Sequence, residues 1–152
     1  MLSDKPIPWG PLPDPFALAG DAGWIDYSVA ADVHFLSAAP AAVMGRIDSA
    51  DVFEDDKARW PSGYVLRLKL DNGWELLSAE FKKPVVTLAS GFARIDREQW
   101  HRLELRFLGK RIVASLDGAP LASIEDSAHS RGMIALVTEW DRVQFDNLRV
   151  TP

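Results

Sequence analysis

Apolar and polar side chains alternate along most of this chain, and a period of two residues restricts such a chain to β-structure. In the clearest run, residues 100–108, the apolar residues Leu103, Leu105 and Phe107 share one face and charged residues occupy the other. Successive side chains of a strand point to opposite faces of a sheet. These three residues are therefore predicted to lie in a core between two sheets.

Similar runs recur along the sequence, with turn signals between them. Asp71-Asn72-Gly73 predicts a hairpin turn, because Asn-Gly tolerates positive φ. No amphipathic helix of useful length is found. About ten short strands predict an all-β fold, a two-sheet antiparallel jelly-roll sandwich. The predicted strands are residues 24–36, 43–47, 64–70, 74–81, 85–88, 100–108, 112–116, 119–124, 132–138 and 143–150.

The chain is expected to form one domain over residues 1–152, since 152 residues suffice for one substantial core and no internal repeat is found. Residues 1–20 are predicted to be an extended Pro-rich arm. Four of the ten prolines fall between Pro6 and Pro13, and each removes a backbone donor. Residues 49–62 are predicted to be a long acidic loop.

Composition excludes several classes of function. The net charge of −5 argues against a nucleic-acid partner, which requires a basic face. No apolar run approaches the ~20 residues of a membrane span, and the N-terminus lacks the layout of a signal peptide. With no cysteine there are no disulfides. The residues alone leave the localisation unknown.

Catalytic patterns are missing from the sequence. A retaining glycosidase on such a sandwich needs two carboxylates on one strand face, and Glu139-Trp140-Asp141 is the nearest approach. Glu75 and Glu80 differ by five residues, so they point to opposite faces. No Ser-His-Asp arrangement is readable, and the three histidines lack metal-ligand spacing. The chain is expected not to be catalytic alone.

Several polar and aromatic residues have two interpretations, one structural and one functional. Most of the six tryptophans are expected to pack, although one or two would suit sugar stacking. Asp32 and His34 share a strand face, which is either the wet side of a sheet or a sugar-binding face. Glu54-Asp55-Asp56 is either a solvated loop or a calcium-binding group.

Asp146 opens the last strand, where a buried carboxylate is costly unless it is paired. It is therefore exposed, bonded to a nearby backbone amide, or holding a cation.

Five segments carry a family resemblance, and they occur in the same order along nearly the whole chain. In them the chain resembles the C-terminal lectin-like domain of galactocerebrosidase, the glycoside hydrolase family 59 β-galactosidase that acts on galactosylceramide. The segments are Lys5-Pro6-Ile7-Pro8-Trp9, Gly20-Asp21 through Trp24 to Asp32-Val33, Gly45-Arg46, the run after Trp100, and Phe145-Asp146-Asn147.

The resemblance implies a concanavalin A-like lectin/glucanase sandwich that works beside a hydrolase barrel with two catalytic glutamates. It implies that Trp9 contributes to the wall of a galactose pocket. It also implies that Asp146 is a ligand of a structural Ca²⁺, whose other side-chain ligands come from an Asp-x-Asn strand expected before residue 1. The loop at residues 49–62 is an addition to the family pattern. An extracytoplasmic or lysosome-like location is implied as well.

The leading hypothesis is a non-catalytic carbohydrate-recognition domain of a galactosylceramidase-like β-galactosidase, with a galactoside or another carbohydrate as ligand and the barrel as partner. The alternatives are a free-standing carbohydrate-binding module and a structural or interaction sandwich without a ligand.

Overall fold

The computed structural model describes residues 16–36, 40–48, 60–69, 71–80, 83–96, 98–138 and 142–152, and these form strands, turns and loops. No helix long and apolar enough to cross a membrane occurs among them. The strands are β1 (Phe16–Ala19), β2 (Tyr27–Phe35), β3 (Ala41–Ile47), β4 (Gly63–Leu68), β5 (Gly73–Ala79), β6 (Val86–Phe92), β7 (His101–Leu108), β8 (Arg111–Leu116), β9 (Ala119–Glu125), β10 (Met133–Thr138) and β11 (Val143–Thr151).

The strands form two antiparallel sheets. One has six strands in the order β1-β10-β3-β4-β5-β6, and the other has five in the order β11-β2-β7-β8-β9. β1 and β11, the first and last of the described strands, therefore lie in different sheets. The predicted all-β antiparallel jelly-roll sandwich is confirmed.

The main core lies between the two sheets and follows the alternation of the sequence. On β7, Leu103 and Leu105 are 0% exposed and Phe107 is 1% exposed, as predicted. Leu105 lies opposite Val29 of β2 and Ala114 of β8, which share its face. Burial of alternate side chains on three neighbouring strands stabilises the packing of one sheet on the other.

A second apolar cluster covers the outer face of the six-stranded sheet. Every residue of β3 is buried, so this strand is covered on both faces. Its apolar run lacks alternation for that reason, as expected of a strand buried on both sides. Trp60 packs into this cluster, with Phe16 and Leu18 of β1 against it.

The predicted arm at residues 1–20 ends in a strand that the sequence pattern missed. β1 pairs with β10 at the edge of the six-stranded sheet, with Phe16 opposite Val137. Residues 1–15 lie outside the described residues, as do residues 49–59 of the acidic loop. An edge strand needs only one partner, which suits a segment that directly follows prolines.

A buried arginine connects the ends of the two sheets. Arg46 of β3 is 2% exposed, and its guanidinium donates hydrogen bonds to the carbonyl oxygens of Ile25 (2.8 Å) and Gly109 (2.9 Å). The backbone N–H of Arg46 donates to the Tyr27 hydroxyl (2.6 Å), which donates to the Gly132 carbonyl (3.0 Å). These bonds satisfy polar groups that would otherwise be costly to bury.

Candidate functional site

The candidate site lies on the outward face of the five-stranded sheet, where β11, β2 and β7 run side by side. Val29 and Val33 of β2 are fully buried in the core, so the alternate residues Ala30 and Asp32 point outward. Asp32 lies opposite Asp146 on one neighbouring strand and opposite Arg102 on the other. Three charged side chains are thus placed in one row across the sheet.

A β-bulge shapes β11 at this row. The pairing of β11 with β2 shifts between Asp146 and Arg149, and Asn147 has a φ of 50°. Asn tolerates this left-handed conformation better than most residues. The Asp146 carboxylate accepts a hydrogen bond from the Asn147 backbone N–H (2.7 Å). Asp146 thereby stabilises the irregular backbone beside it.

Asp32 is held by two donors. The side-chain amide of Asn147 donates to one carboxylate oxygen (2.7 Å), and the Arg102 guanidinium donates to the other (3.0 Å). The Asn147 hydrogen bond is the main reason that the pKa of the Asp32 carboxyl lies below its ordinary value. Burial opposes this shift, and the hydrogen bond and charge of Arg102 add to it. The carboxylate is therefore ionised and fixed in orientation at neutral pH.

Two adjoining cavities extend from this cluster along the sheet face. Cavities of ≈ 460 Å³ and ≈ 450 Å³ share Arg102 and Arg149. The small residues Ser28 and Ala30 line the second cavity. We call the combined depression the outer trough. Its charged and amide residues are Asp26, Asp32, Arg102, Glu104, Arg106, Asn147 and Arg149.

An exposed aromatic side chain lies near one end of the outer trough. Trp100 precedes β7 and is 47% exposed. Its ring stacks on the His34 imidazole, with the ring centres 5.2 Å apart and the planes at 26°. His34 is two residues from Asp32 on the same face of β2, a spacing of about 7 Å. An indole face and a row of planar polar groups therefore share one surface.

The whole chain, residues 1–152, matches the family model described as galactocerebrosidase, C-terminal lectin domain. The chain belongs to this family. The lectin domain has no match in sequence among curated proteins.

Solved structures similar to the lectin domain are β-sandwich proteins of low sequence identity. The carbohydrate-binding module CBM66 from Bacillus subtilis has a TM-score of 0.69 and 18% identity, over 93% of this chain and 83% of that one. Sheep galectin-11, solved with glycerol, has a TM-score of 0.65 and 8% identity, over 91% and 97%. The galectin LEC-6 of Caenorhabditis elegans has a TM-score of 0.64 and 12% identity, over 91% of each chain. At such identities the likeness establishes the fold.

The site roles predicted for Trp9 and Asp146 both stay predictions. Trp9 lies outside the described residues, so its role in a pocket wall stays a prediction. Asp146 is exposed and takes one of its expected roles, since it bonds the backbone amide of Asn147.

Calcium at Asp146 also stays a prediction. Its only described acidic neighbour across the sheet is Asp32, which already accepts bonds from Arg102 and Asn147. Among the described residues, no group of three or more His, Cys, Asp or Glu is placed to hold a metal ion. The described donors alone do not fit a calcium ion, which takes six to eight oxygen ligands. The triplet Glu54-Asp55-Asp56 lies outside the described residues.

The histidines that lacked metal-ligand spacing have local partners. The two ring nitrogens of His101 lie 2.7 Å from the Asp117 carboxylate and 2.6 Å from the Asp96 carbonyl. His129 lies 3.0 Å from the Ser78 hydroxyl, a contact that the sequence analysis missed. Ser78 is only 5% exposed, so this pair lies within the buried polar network of the sandwich.

Proposed function

We propose that the lectin domain is a non-catalytic carbohydrate-recognition domain that contributes to galactoside binding beside a galactosylceramidase-type hydrolase barrel. The observation that carries the proposal is the family match over residues 1–152. The barrel would supply the catalytic glutamates, and the lectin domain would supply contacts to the sugar.

A tryptophan in the Pro-rich segment supports this function. A galactose ring has an apolar face of C–H groups, which an indole covers, and hydroxyls, which planar polar groups bond. Trp9 is the residue proposed to line the galactose pocket. It is flanked by Pro8 and Gly10 in the Pro-rich segment, where its backbone is poorly supplied with donors for a central strand.

Substitution of Trp9 in the enzyme that contains the barrel tests the proposal. Trp9→Ala is expected to weaken galactoside binding by about tenfold, equal to about 1.4 kcal/mol of lost contact, while the melting temperature stays nearly unchanged. Phe92→Ala is the control, because Phe92 is a 79% exposed aromatic on β6 of the six-stranded sheet. A Trp9 variant that loses stability but keeps its affinity for the sugar would make Trp9 a packing residue.

The second part of the proposal is that the chain alone does not hydrolyse glycosides. Purified chain is assayed on chromogenic β-galactosides and β-glucans, and no turnover is expected. Turnover that disappears when a single Glu or Asp is replaced would overturn this part.

A free-standing carbohydrate-binding module is the second candidate. The observation in its favour is the fold shared with CBM66 over 93% of the chain. The two candidates differ in their dependence on the barrel. A free-standing module binds its saccharide with the same affinity whether or not the barrel is present, whereas the leading proposal requires the barrel for full affinity. A chain that binds no saccharide in either state is a structural or interaction sandwich.

A further inference from the structure

We propose that the outer trough is a saccharide-binding site in its own right, which takes a neutral oligosaccharide along β2 and uses Trp100 as its stacking surface. This inference rests on the proposed function, because it assumes that the ligand is a carbohydrate. It is carried by described residues and does not involve Trp9.

The register of the sheet builds the trough. Ala30 lies between Arg149 of β11 and Glu104 of β7 in one row. Ser28 lies between Thr151 and Arg106 in the next row. Short side chains on the middle strand and longer ones on the flanking strands leave a channel parallel to β2. The polar atoms at its sides point away from the core into that channel.

The charges of the trough favour an uncharged, hydroxyl-rich ligand. Side chains of both signs line the trough: three arginines (Arg102, Arg106 and Arg149) and three carboxylates (Asp26, Asp32 and Glu104). Arg102 pairs with Asp32, and Asp26 pairs with the buried Arg46 (3.3 Å). An anionic ligand would meet carboxylates as well as arginines along the trough, so it would not be attracted uniformly. Hydroxyls donate to carboxylates and accept from guanidinium groups, so a sugar satisfies both kinds of side chain.

Some of these groups are held in place and others are free to bind. Asp32 is fixed by Asn147 and Arg102, and Trp100 is stacked on His34. Within the described part of the chain, Arg106 and Arg149 form neither an ion pair nor a side-chain hydrogen bond. Contacts held on strands reduce the entropy lost on binding. The free guanidinium groups keep their donors for the ligand.

The length of the trough predicts that more than one sugar unit binds. From Ser28 to Asp32 the trough follows β2 for about 13 Å, and His34 with the stacked Trp100 extends this face to about 20 Å. One unit would stack on Trp100, and the following units would bond the row at Asp32 and the rows at Ala30 and Ser28. Affinity is therefore expected to rise from the monosaccharide to the tetrasaccharide.

The experiment measures binding of neutral β-galacto-oligosaccharides to the full chain by isothermal titration calorimetry. Trp100→Ala and Arg149→Ala are each expected to lower the affinity for the tetrasaccharide by about tenfold. The matched controls are Phe92→Ala and Arg94→Ala, which remove an exposed aromatic and an exposed arginine that do not line the trough. Thermal melts of all variants are expected to show a folded domain.

Three results would overturn the inference. If the chain binds saccharide, and Trp9→Ala abolishes binding while Trp100→Ala and Arg149→Ala do not, the trough is wrong and the proposed function stands. If neither the chain nor the barrel-containing enzyme shows any contribution of this domain to saccharide binding, the proposed function fails and the inference fails with it. If a sulfated saccharide binds more tightly and salt weakens that binding, the assignment to a neutral ligand is wrong.

Discussion

The guanidinium carbon of Arg46 lies 4.8 Å from the centre of the Phe107 ring. Arg46 belongs to the six-stranded sheet and Phe107 to the five-stranded sheet, so this contact joins the two layers. The ring also lies against Gly45, where an added Cβ would overlap it. The position of the Phe107 ring therefore depends on two neighbouring residues of β3: Arg46, which lies over it, and Gly45, which has no Cβ to overlap it.

Replacing Arg46 is expected to destabilise the fold strongly. Arg46→Met would leave the carbonyls of Ile25 and Gly109 without these donors, at a cost of about 3 kcal/mol in the free energy of unfolding. Arg46→Lys is the control that keeps the charge, and it should recover only part of the loss, because an ammonium lacks the planar fork of Arg. Urea unfolding measures both variants. Equal stability of the Arg46→Met variant and the wild-type chain would show that the network contributes nothing.

Truncation of Leu105 tests the core. Leu105 is 0% exposed, and Leu105→Ala is expected to cost about 2–5 kcal/mol through lost burial and the cavity that remains. Leu108→Ala on the same strand is the matched control, since Leu108 is 53% exposed and its truncation should cost less than about 0.5 kcal/mol. Similar losses for the two variants in urea unfolding would contradict the assignment of the core.

Tyr27 and Tyr64 are expected to make the folded protein less stable at alkaline pH, because burial raises the pKa of both. Burial raises the pKa of Tyr27 from 10.0 to about 12, against smaller lowering effects of Arg46. Burial, followed by the hydrogen bond to Asp126, also raises the pKa of Tyr64. As the pH rises, the unfolded chain loses its tyrosine protons at a lower pH than the folded chain does. This contribution to stability is therefore fully present below about pH 10 and is lost as the pH rises toward 12.

Tyrosinate absorbance measures this effect, because Tyr27 and Tyr64 are the only tyrosines of the chain. The folded protein should show almost no tyrosinate at pH 10, whereas the chain in denaturant should be about half ionised. Coincident titration curves would contradict the prediction.

The Asn147–Asp32 hydrogen bond is expected to make the free energy of unfolding vary with pH in the acid range. Asn147→Gly keeps the backbone freedom that a φ of 50° requires but removes the amide donor. The pKa of the Asp32 carboxyl should then rise toward its ordinary value, and stability at neutral pH should fall by about 0.5 kcal/mol, because the pair is partly exposed. The difference from wild type should disappear as the pH falls through the lowered pKa of Asp32.

Carbon NMR of the Asp32 carboxyl follows this titration directly. Asn147→Ala serves as a comparison that also strains the backbone, so it should be less stable than Asn147→Gly at every pH. If the pKa of the Asp32 carboxyl is the same in both variants as in the wild type, the Asn147–Asp32 hydrogen bond does not lower it.

The calcium prediction for Asp146 is decided by thermal melts with calcium and with chelator. An ion held only by the folded state must raise the melting temperature, and Asp146→Ala should abolish that rise. Bound calcium would show oxygen ligands at about 2.3–2.6 Å. Identical melts would leave Asp146 with its bond to the Asn147 amide as its sole assigned role.

Local patterns were enough to predict much of the fold. The alternation around Leu105 predicted a half-buried strand, because that pattern depends only on the geometry of a single strand. Asn72, in the predicted hairpin turn, has a φ of 64°, as Asn-Gly turns require. The family resemblance carried by short segments was confirmed over residues 1–152.

Burial on both faces of a strand was not readable in the same way. Residues 43–47 were predicted as a strand, and β3 includes them, but the sequence did not show that both faces of this strand are buried. The burial of Arg46 depends on carbonyls of Ile25, Gly109 and His129, which are 21, 63 and 83 residues away along the chain.

The sequence by itself determined most of the strands, the Asn-Gly hairpin turn and the outward polarity of Asp32 and His34, because these follow from local patterns. It did not show β1. Tertiary structure alone decided the site. Asp32 and Asn147 are separated by 115 residues, and they meet because β11 pairs with β2 and a bulge turns the Asn147 side chain toward the carboxylate. Such pairing depends on the order of strands in the sheet, and strand order is set by how the whole chain buries its apolar faces.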